Sequence, residues 1–486
     1  MRALLYRPLF LVLLPLAFVA HGLSVQFGRA GIGDAVLISI ATTGVLVLFS
    51  IVLQLVFRKR TTAALSAALF GIVALYWSYP YLRVKAAFGD AAFARLPVLL
   101  AVILLLWGVS SWAIHRSRDD QRARIALFFN LLFGILFLVD GTTAILRYRA
   151  ALAALPPSLL AAGTSVKPPV FILLFDEYGS PATLERQGIS TDGVEPFLRS
   201  QGFHTVPAAR SAYPITHFSL AAALNSFSLP LQPSKPVTLT DYNRALVWIR
   251  HSRIVDAFRR SGYAIHNRSV FTLGDEAPFE GHSPLVEGTD VLVAGTLWDD
   301  VLKPLWLKRF TPGKLQQQYF DGIRRNTALV NSLKEDTVKG GPLFSYAHFF
   351  LPHAPFLYDS LGKQLPFDTS LQLTADNNPR GYAANLRVAT GLLKESVNSI
   401  RKQCPDAIIL VMGDHGYRND KLPGFDTAQF QALCAVYYPD GNYAGWRDSL
   451  SLVNAVRFVT AKALGQTWQA LPETTTPLKD ATGLEW

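Results

Sequence analysis

Five long apolar runs fill the first 150 residues, near 8–23, 34–57, 62–81, 96–115 and 125–146. Each approaches the roughly 20 residues that a helix needs to cross a bilayer core, so the pattern predicts a bundle of five transmembrane helices. The first run is the shortest. No small-residue cleavage site separates it from the second, which makes it a retained helix rather than a signal peptide. After residue 168 the pattern changes, and short apolar runs bounded by turn residues alternate with stretches at helical spacing. Strands are predicted at 170–175, 263–266, 343–350, 407–412 and 432–438. Helices are predicted at 194–201, 219–225, 254–260, 315–333, 383–402 and 452–464. This alternation predicts an α/β domain with a largely parallel central sheet. Pro156, Pro157, Gly163 and Ser165, closed by Pro168 and Pro169, mark a linker. The organisation is therefore a membrane module at 1–149, a linker at 150–168 and a second domain at 169–486. The segment 267–313 shows no readable pattern and is expected to shape that domain's pocket.

Charge placement changes the picture twice. The net charge of +11 would suit a nucleic-acid partner. However, residues 1–150 hold 15 Lys+Arg against five Asp, while the remainder holds 31 basic and 30 acidic groups. The second domain is nearly neutral, so no nucleic-acid partner is expected. With a cytoplasmic N-terminus, the inside segments carry Arg2, Arg7, Arg58, Lys59, Arg60, Arg116, Arg118, Arg122 and Arg124. The outside loops carry Arg29, Arg83, Lys85 and Arg95. Nine against four is the bias of the positive-inside rule, and five crossings put the second domain outside the cytoplasm. Asp140, inside the fifth run, is either a functional intramembrane acid or a residue that reaches the outer interface beside Gly141 and Thr142; the second reading is preferred. Cys404 and Cys434 either pair, as an oxidising compartment permits, or remain two thiols.

Candidate chemistry sits at the strand ends. The predicted strand 407–412 runs into Gly413-Asp414-His415-Gly416, and the strand 170–175 runs into Asp176-Glu177. Two buried strands that each end in potential metal ligands suggest one site at the carboxyl edge of a parallel sheet. Taken singly, an Asp-His pair is often only hydrogen-bonded, and an Asp-Glu pair is often a helix cap. Glu177, Asp414 and His415 are candidate ligands for one divalent ion, zinc or manganese with magnesium as a further option. Thr216 opens an apolar helical stretch, where free amides and the helix dipole favour an alkoxide. On the segment alone, Thr216 or Ser219 is better explained as an N-cap. His353, between Pro352 and Pro355, is held in a restricted loop and can contact phosphoryl oxygens or protonate a leaving group. His348, within its strand, reads as a packed residue. Arg418 is either an anion contact or a surface arginine.

Four segments taken in order, LLFDEYGSP (173–181), YPITHFSLAAALN (213–225), LPHAPF (351–356) and MGDHGYR (412–418), resemble the sulfatase-like branch of the alkaline phosphatase superfamily. Five membrane spans followed by such a domain are similar to lipoteichoic acid synthases and phosphoethanolamine transferases of bacterial envelopes. The resemblance implies an alkaline-phosphatase/sulfatase-like domain outside the cytoplasmic membrane of a bacterium. It implies Glu177, Asp414 and His415 as metal ligands, with Asp176 as a further candidate. It implies Thr216 as the metal-bound nucleophile and His353, with Arg418 as a further candidate, as substrate contacts. The implied activity moves a phospho-headgroup from a membrane phospholipid to a glycan or lipid acceptor through a threonine-linked intermediate. A membrane-anchored phosphodiesterase or sulfatase and a non-catalytic envelope scaffold are the alternatives. Neither cysteine lies in the Cys/Ser-x-Pro-x-Arg frame of formylglycine sulfatases, and no histidine follows His415 to complete a second zinc site.

Overall fold

The structure is a computed structural model of the 486-residue chain. It describes all residues except 1–6, 90, 158, 160–165, 234, 280–286, 311–313, 339–340, 367–368, 370–377 and 481–486, together with the side chains of 93, 310 and 314–323. The chain divides into two units: 1–150 with 286–314, and 151–285 with 315–486.

In the first unit every predicted apolar run is helical. Ile32–Phe57, Leu96–Arg116 and Asp119–Ala153 are each long and apolar enough to cross a membrane. The third run breaks. Arg60–Leu75 and Ser78–Phe88 meet at 54° and make a fourth crossing only if the bent pair is counted as one span. Phe10–Val25 has only 16 residues, which gives about 24 Å of helix against a hydrocarbon core of about 30 Å. By length, the described helices therefore make three or four crossings, and the expected five are not reached. Phe10–Val25 is nonetheless packed into the unit, with Phe10, Leu14 and Ala17 clustering with Leu46, Leu53 and the small residues Ala63, Ala64, Ala67 and Ala68. A face of small residues allows helices to approach closely.

The end of the 267–313 segment departs from expectation. Thr289–Val293 packs on the first unit, with Val291 and Leu292 joining Phe18, Val19, Ala30 and Ala35. Gly288 N donates to Arg29 O at 2.8 Å. This part does not belong to the second unit's core.

The second unit is built on six strands. They are β1 (Val170–Phe175), β2 (His204–Thr205), β4 (Ala264–Arg268), β5 (Leu343–Phe349), β6 (Ile408–Gly413) and β7 (Cys434–Tyr437), in the order β2-β7-β6-β1-β5-β4. β6, β1, β5 and β4 are parallel, and β7 runs antiparallel to both neighbours. β3 (Pro236–Val237) and β8 (Lys479–Asp480) form a separate short pair. All six residues of β1 are buried, as expected for a parallel strand covered on both faces. Ile172, Leu174, Phe344, Tyr346, Leu410 and Met412 pack against helices Thr216–Ala223, Arg253–Arg260 and Leu452–Ala463. Phe171, Leu173, Phe175, Ala347, Ile409 and Val411 face helix Pro379–Gln403 on the other side. The result is a three-layer α/β/α domain.

Candidate active site

Strand periodicity assembles the site. Successive side chains alternate between the two faces, and the even-numbered residues of β1, β5 and β6 all face helix Thr216–Ala223. Carried past the strand ends, the same parity puts Asp176, His348 and Asp414 on that face. The register pairs Leu174 with His348 and Phe175 with Gly413, so three neighbouring strands deliver these side chains to one edge.

The glycines of Gly413-Asp414-His415-Gly416 permit the turn. A Cβ on Gly413 would lie 2.4 Å from Tyr178 O, and one on Gly416 would lie 1.9 Å from Ala428 O. Backbone from two other segments occupies the space that a side chain would need. Beside this turn Glu177 N donates to Asp414 Oδ1 at 2.8 Å. Ser219 Oγ donates to Asp414 O at 2.5 Å.

Thr216 lies at the centre. Ile215 is the N-cap of its helix and Thr216 is the first helical residue, so neither Thr216 nor Ser219 is the cap. The helix starts three residues before the expected position because Thr216 and His217 carry no apolar signal. Thr216 Oγ1 is 3.4 Å from Asp176 Oδ1 and 3.3 Å from His415 Nε2. All three residues are buried.

The donor set fits a cation. Asp176, Asp414 and His415 offer ligand atoms within 4.8 Å of one another. His415 Nδ1 is 2.9 Å from Gly416 O, a carbonyl that can only accept, so Nδ1 carries the proton and Nε2 presents its lone pair. That lone pair lies 3.3 Å from Asp414 Oδ2, a buried oxygen with no hydrogen-bond partner among the described residues. With a neutral imidazole these are two buried acceptors facing each other across 3.3 Å, an arrangement that a metal ion, or a proton on Nε2, relieves. Two carboxylates and one imidazole suit zinc or manganese better than magnesium.

The structure places the other predicted residues around this cluster. Glu177 adopts φ +62°, and Tyr382 Oη donates to its carbonyl at 2.8 Å. Its carboxylate Oε1 accepts from Arg418 N at 2.9 Å and Arg418 Nε at 3.4 Å. Asp176, given as the lesser candidate by the sequence, stands in the ligand cluster, while Glu177 is bound to Arg418. Arg418 itself is not a surface arginine, with a side chain only 11% exposed. Its Nη2 donates to His353 Nε2 at 3.3 Å, which leaves the His353 proton on Nδ1, 2.5 Å from Ala354 O. Burial alone would lower the pKa of His353, but the charges of Asp176 and Glu177 outweigh it and raise the value. Asp140 meets His21 Nδ1 at 3.2 Å in the first unit. Cys404 and Cys434 do not bridge, and burial pushes the Cys434 thiol up to about 12.

His348 is packed, as the sequence suggests, and it also touches the cluster. Its Nε2 donates to Asp176 Oδ2 at 2.9 Å, with both side chains fully buried. Burial would raise the Asp176 pKa, but this bond and the nearby His353 and His415 hold the carboxyl well below the usual carboxylate range. The parity of β5 was the available signal.

No protein-family model and no curated protein sequence matches the chain. Its fold is similar to that of solved structures. The C-terminal periplasmic domain of phosphoethanolamine transferase EptC from Campylobacter jejuni is 13% identical, with 65% of this chain and 100% of that chain covered and a TM-score of 0.38. The putative sulfatase yidJ from Bacteroides fragilis is 12% identical, with 65% and 78% covered and a TM-score of 0.40. The phosphonate monoester hydrolase of Agrobacterium radiobacter is 13% identical, with 62% and 74% covered and a TM-score of 0.39. At such values the likeness carries no functional weight, and the reading of the site rests on its own residues.

Proposed function

We propose that the second unit is a metal-dependent transferase that moves a phospho-headgroup, of the phosphoethanolamine or phosphoglycerol type, from a membrane phospholipid to an envelope glycan or lipid. The observation that carries this reading is the buried Thr216 hydroxyl, held at a helix N-terminus beside a cluster of cation ligands. Thr216 Oγ attacks phosphorus, the bond to the diacylglycerol oxygen breaks, and the headgroup stays on Thr216 until an acceptor hydroxyl removes it. Asp176 Oδ1, 3.4 Å from Thr216 Oγ1, is the acceptor within reach of the Thr216 proton, since the single lone pair of His415 Nε2 would be taken by a bound ion. The first amides of helix Thr216–Ala223 add positive potential where the alkoxide and the phosphoryl oxygens develop charge. A divalent ion held by Asp176, Asp414 and His415, with Thr216 as a further ligand, would supply a Lewis acid that lowers the hydroxyl pKa. His353 and Arg418 form a hydrogen-bonded pair suited to phosphoryl oxygens and to the leaving group. Covalent attachment to apolar helices keeps the site at a membrane and raises the effective concentration of a lipid donor. With the second unit outside the cytoplasmic membrane, donor and acceptor both belong to the envelope.

The test is diacylglycerol release from phospholipid vesicles, run beside elemental analysis of the protein. Thr216→Ala should abolish release while the divalent ion remains bound. Full activity in that variant excludes Thr216 as nucleophile, and a purified wild-type chain without a divalent ion excludes the metal centre. An acceptor carrying the headgroup distinguishes transfer from hydrolysis.

A further inference from the structure

The first unit holds a segment that its transmembrane pattern does not explain. The chain leaves the second unit near residue 285, folds onto the first unit through 286–314, and returns. It is fixed there by Val291 and Leu292 among Phe18, Val19, Ala30 and Ala35. Ser78 N donates to Gly295 O at 2.9 Å, and Ser78 Oγ donates to Asp300 Oδ2 at 2.6 Å. These anchors, the 26–31 turn and the break near Ser78, mark one end of the apolar helices. The bias of basic residues makes it the outer end.

The segment continues as a π-helical turn at Trp298–Leu302 and a helix at Lys303–Phe310. Val301 faces inward and is buried, whereas Trp298, Leu302, Leu305 and Trp306 are 47–60% exposed. Their spacing of four, three and one residues puts them on one face. Four large apolar side chains on one face, two of them tryptophans, would be costly against water. The same end of the apolar helices exposes Ile32, Val36 and Leu37. Lys308 and Arg309 close the segment and are exposed.

We propose that 298–309 is an interfacial anchor, with Trp298, Leu302, Leu305 and Trp306 seated in the headgroup–acyl boundary of the outer leaflet and Lys308 and Arg309 directed to lipid phosphates. Tryptophan favours this zone because its ring is apolar and its N–H is polar. Long basic side chains reach the headgroups from a shallow helix. The second unit is thereby tied to the membrane through three chain passages, near residues 150, 285 and 314, rather than through one linker.

The test uses the full chain in vesicles of phosphatidylcholine and phosphatidylglycerol. Leu305→Cys is labelled with a nitrobenzoxadiazole fluorophore in a Cys404→Ser background, with Leu361→Cys in the second unit, 85% exposed, as the aqueous reference. The label at 305 should emit at shorter wavelength than the label at 361. It should be quenched by lipids carrying a nitroxide near the headgroup and be several-fold less sensitive to iodide. Iodide sensitivity equal to that at 361 overturns the proposal. Protection from iodide without quenching by nitroxide lipid also overturns it, because protein and not lipid would then cover the face. Leu302→Cys provides the same readout if Leu305→Cys fails to fold.

Discussion

Gly416→Ala is the sharpest perturbation of the site that touches no reacting group. The added Cβ would lie 1.9 Å from Ala428 O and 2.6 Å from Gln431 O, where ordinary contact begins at 3.4 Å. The nearer pair must separate by about 1.5 Å (3.4 − 1.9), and both obstacles are backbone that cannot rotate away. Overpacking of this kind costs about 3 kcal/mol. The displacement falls on the residue after His415, whose Nδ1 is bonded to Gly416 O. A shift of about 1 Å in a catalytic group costs on the order of 100-fold in rate. The assays are the thermal midpoint of the detergent-solubilised chain, kcat/KM for diacylglycerol release, and bound divalent ion. Gly416→Ala should lower all three. A variant with wild-type midpoint, activity and metal content would refute the argument that the turn around Asp414-His415 is closed to a side chain.

Three further predictions follow from the same geometry. Gly391→Ala, in helix Pro379–Gln403 with nothing within 4 Å of the new Cβ, should leave activity unchanged and raise stability by up to about 1 kcal/mol, measured as a thermal midpoint. His348→Ala removes a hydrogen bond to a buried carboxylate, an interaction worth about 1.5–3 kcal/mol; kcat/KM should fall roughly 10- to 100-fold, and His348→Gln, which restores a donor, should recover part of it. Asp336 is buried and accepts from His266 Nδ1 at 2.6 Å, Arg268 Nη2 at 2.8 Å and Ser345 Oγ at 2.9 Å. Burial opposes ionisation there, but the bonds from His266 and Arg268 lower the Asp336 pKa in the folded state. Its contribution is therefore complete above the unfolded pKa of about 3.9 and is lost as pH falls through the lower folded value. Asp336→Asn should cost about 3 kcal/mol at neutral pH, and the gap between variant and wild type should narrow as pH is lowered below about 4.

Much of this arrangement is legible in the sequence. Strand β1 begins and ends where its apolar run does, because Pro169 and Asp176 bound it sharply. The ends of the longer helices shifted by a few residues, since polar positions such as Lys314 and Arg380 carry no apolar signal. Asp414 and His415 were readable because a buried strand ends in two groups that need partners. Asp176 and Glu177 are not told apart by residue type, whereas alternation along β1 puts Asp176 on the face of Thr216. His348 is buried like its neighbours Ala347 and Phe349, but they point to the opposite face, and the contact of His348 with Asp176 is visible only once the strands are paired. The insertion at 286–314 was not legible. Its partners Phe18, Arg29 and Ser78 lie more than 200 residues away in sequence, and no local pattern records such a contact. The third apolar run reads as continuous because hydropathy does not register the 54° break.

The central claim is a headgroup carried on Thr216, and the direct measurement is peptide mass spectrometry. The full chain is incubated with vesicles of phosphatidylethanolamine and phosphatidylglycerol without an acceptor, quenched in acid and digested. The account predicts diacylglycerol release together with a phosphoethanolamine or phosphoglycerol mass on the peptide containing Thr216, and its absence in Thr216→Ala. Diacylglycerol release with Thr216 unmodified at every time point, and undiminished in Thr216→Ala, would contradict it.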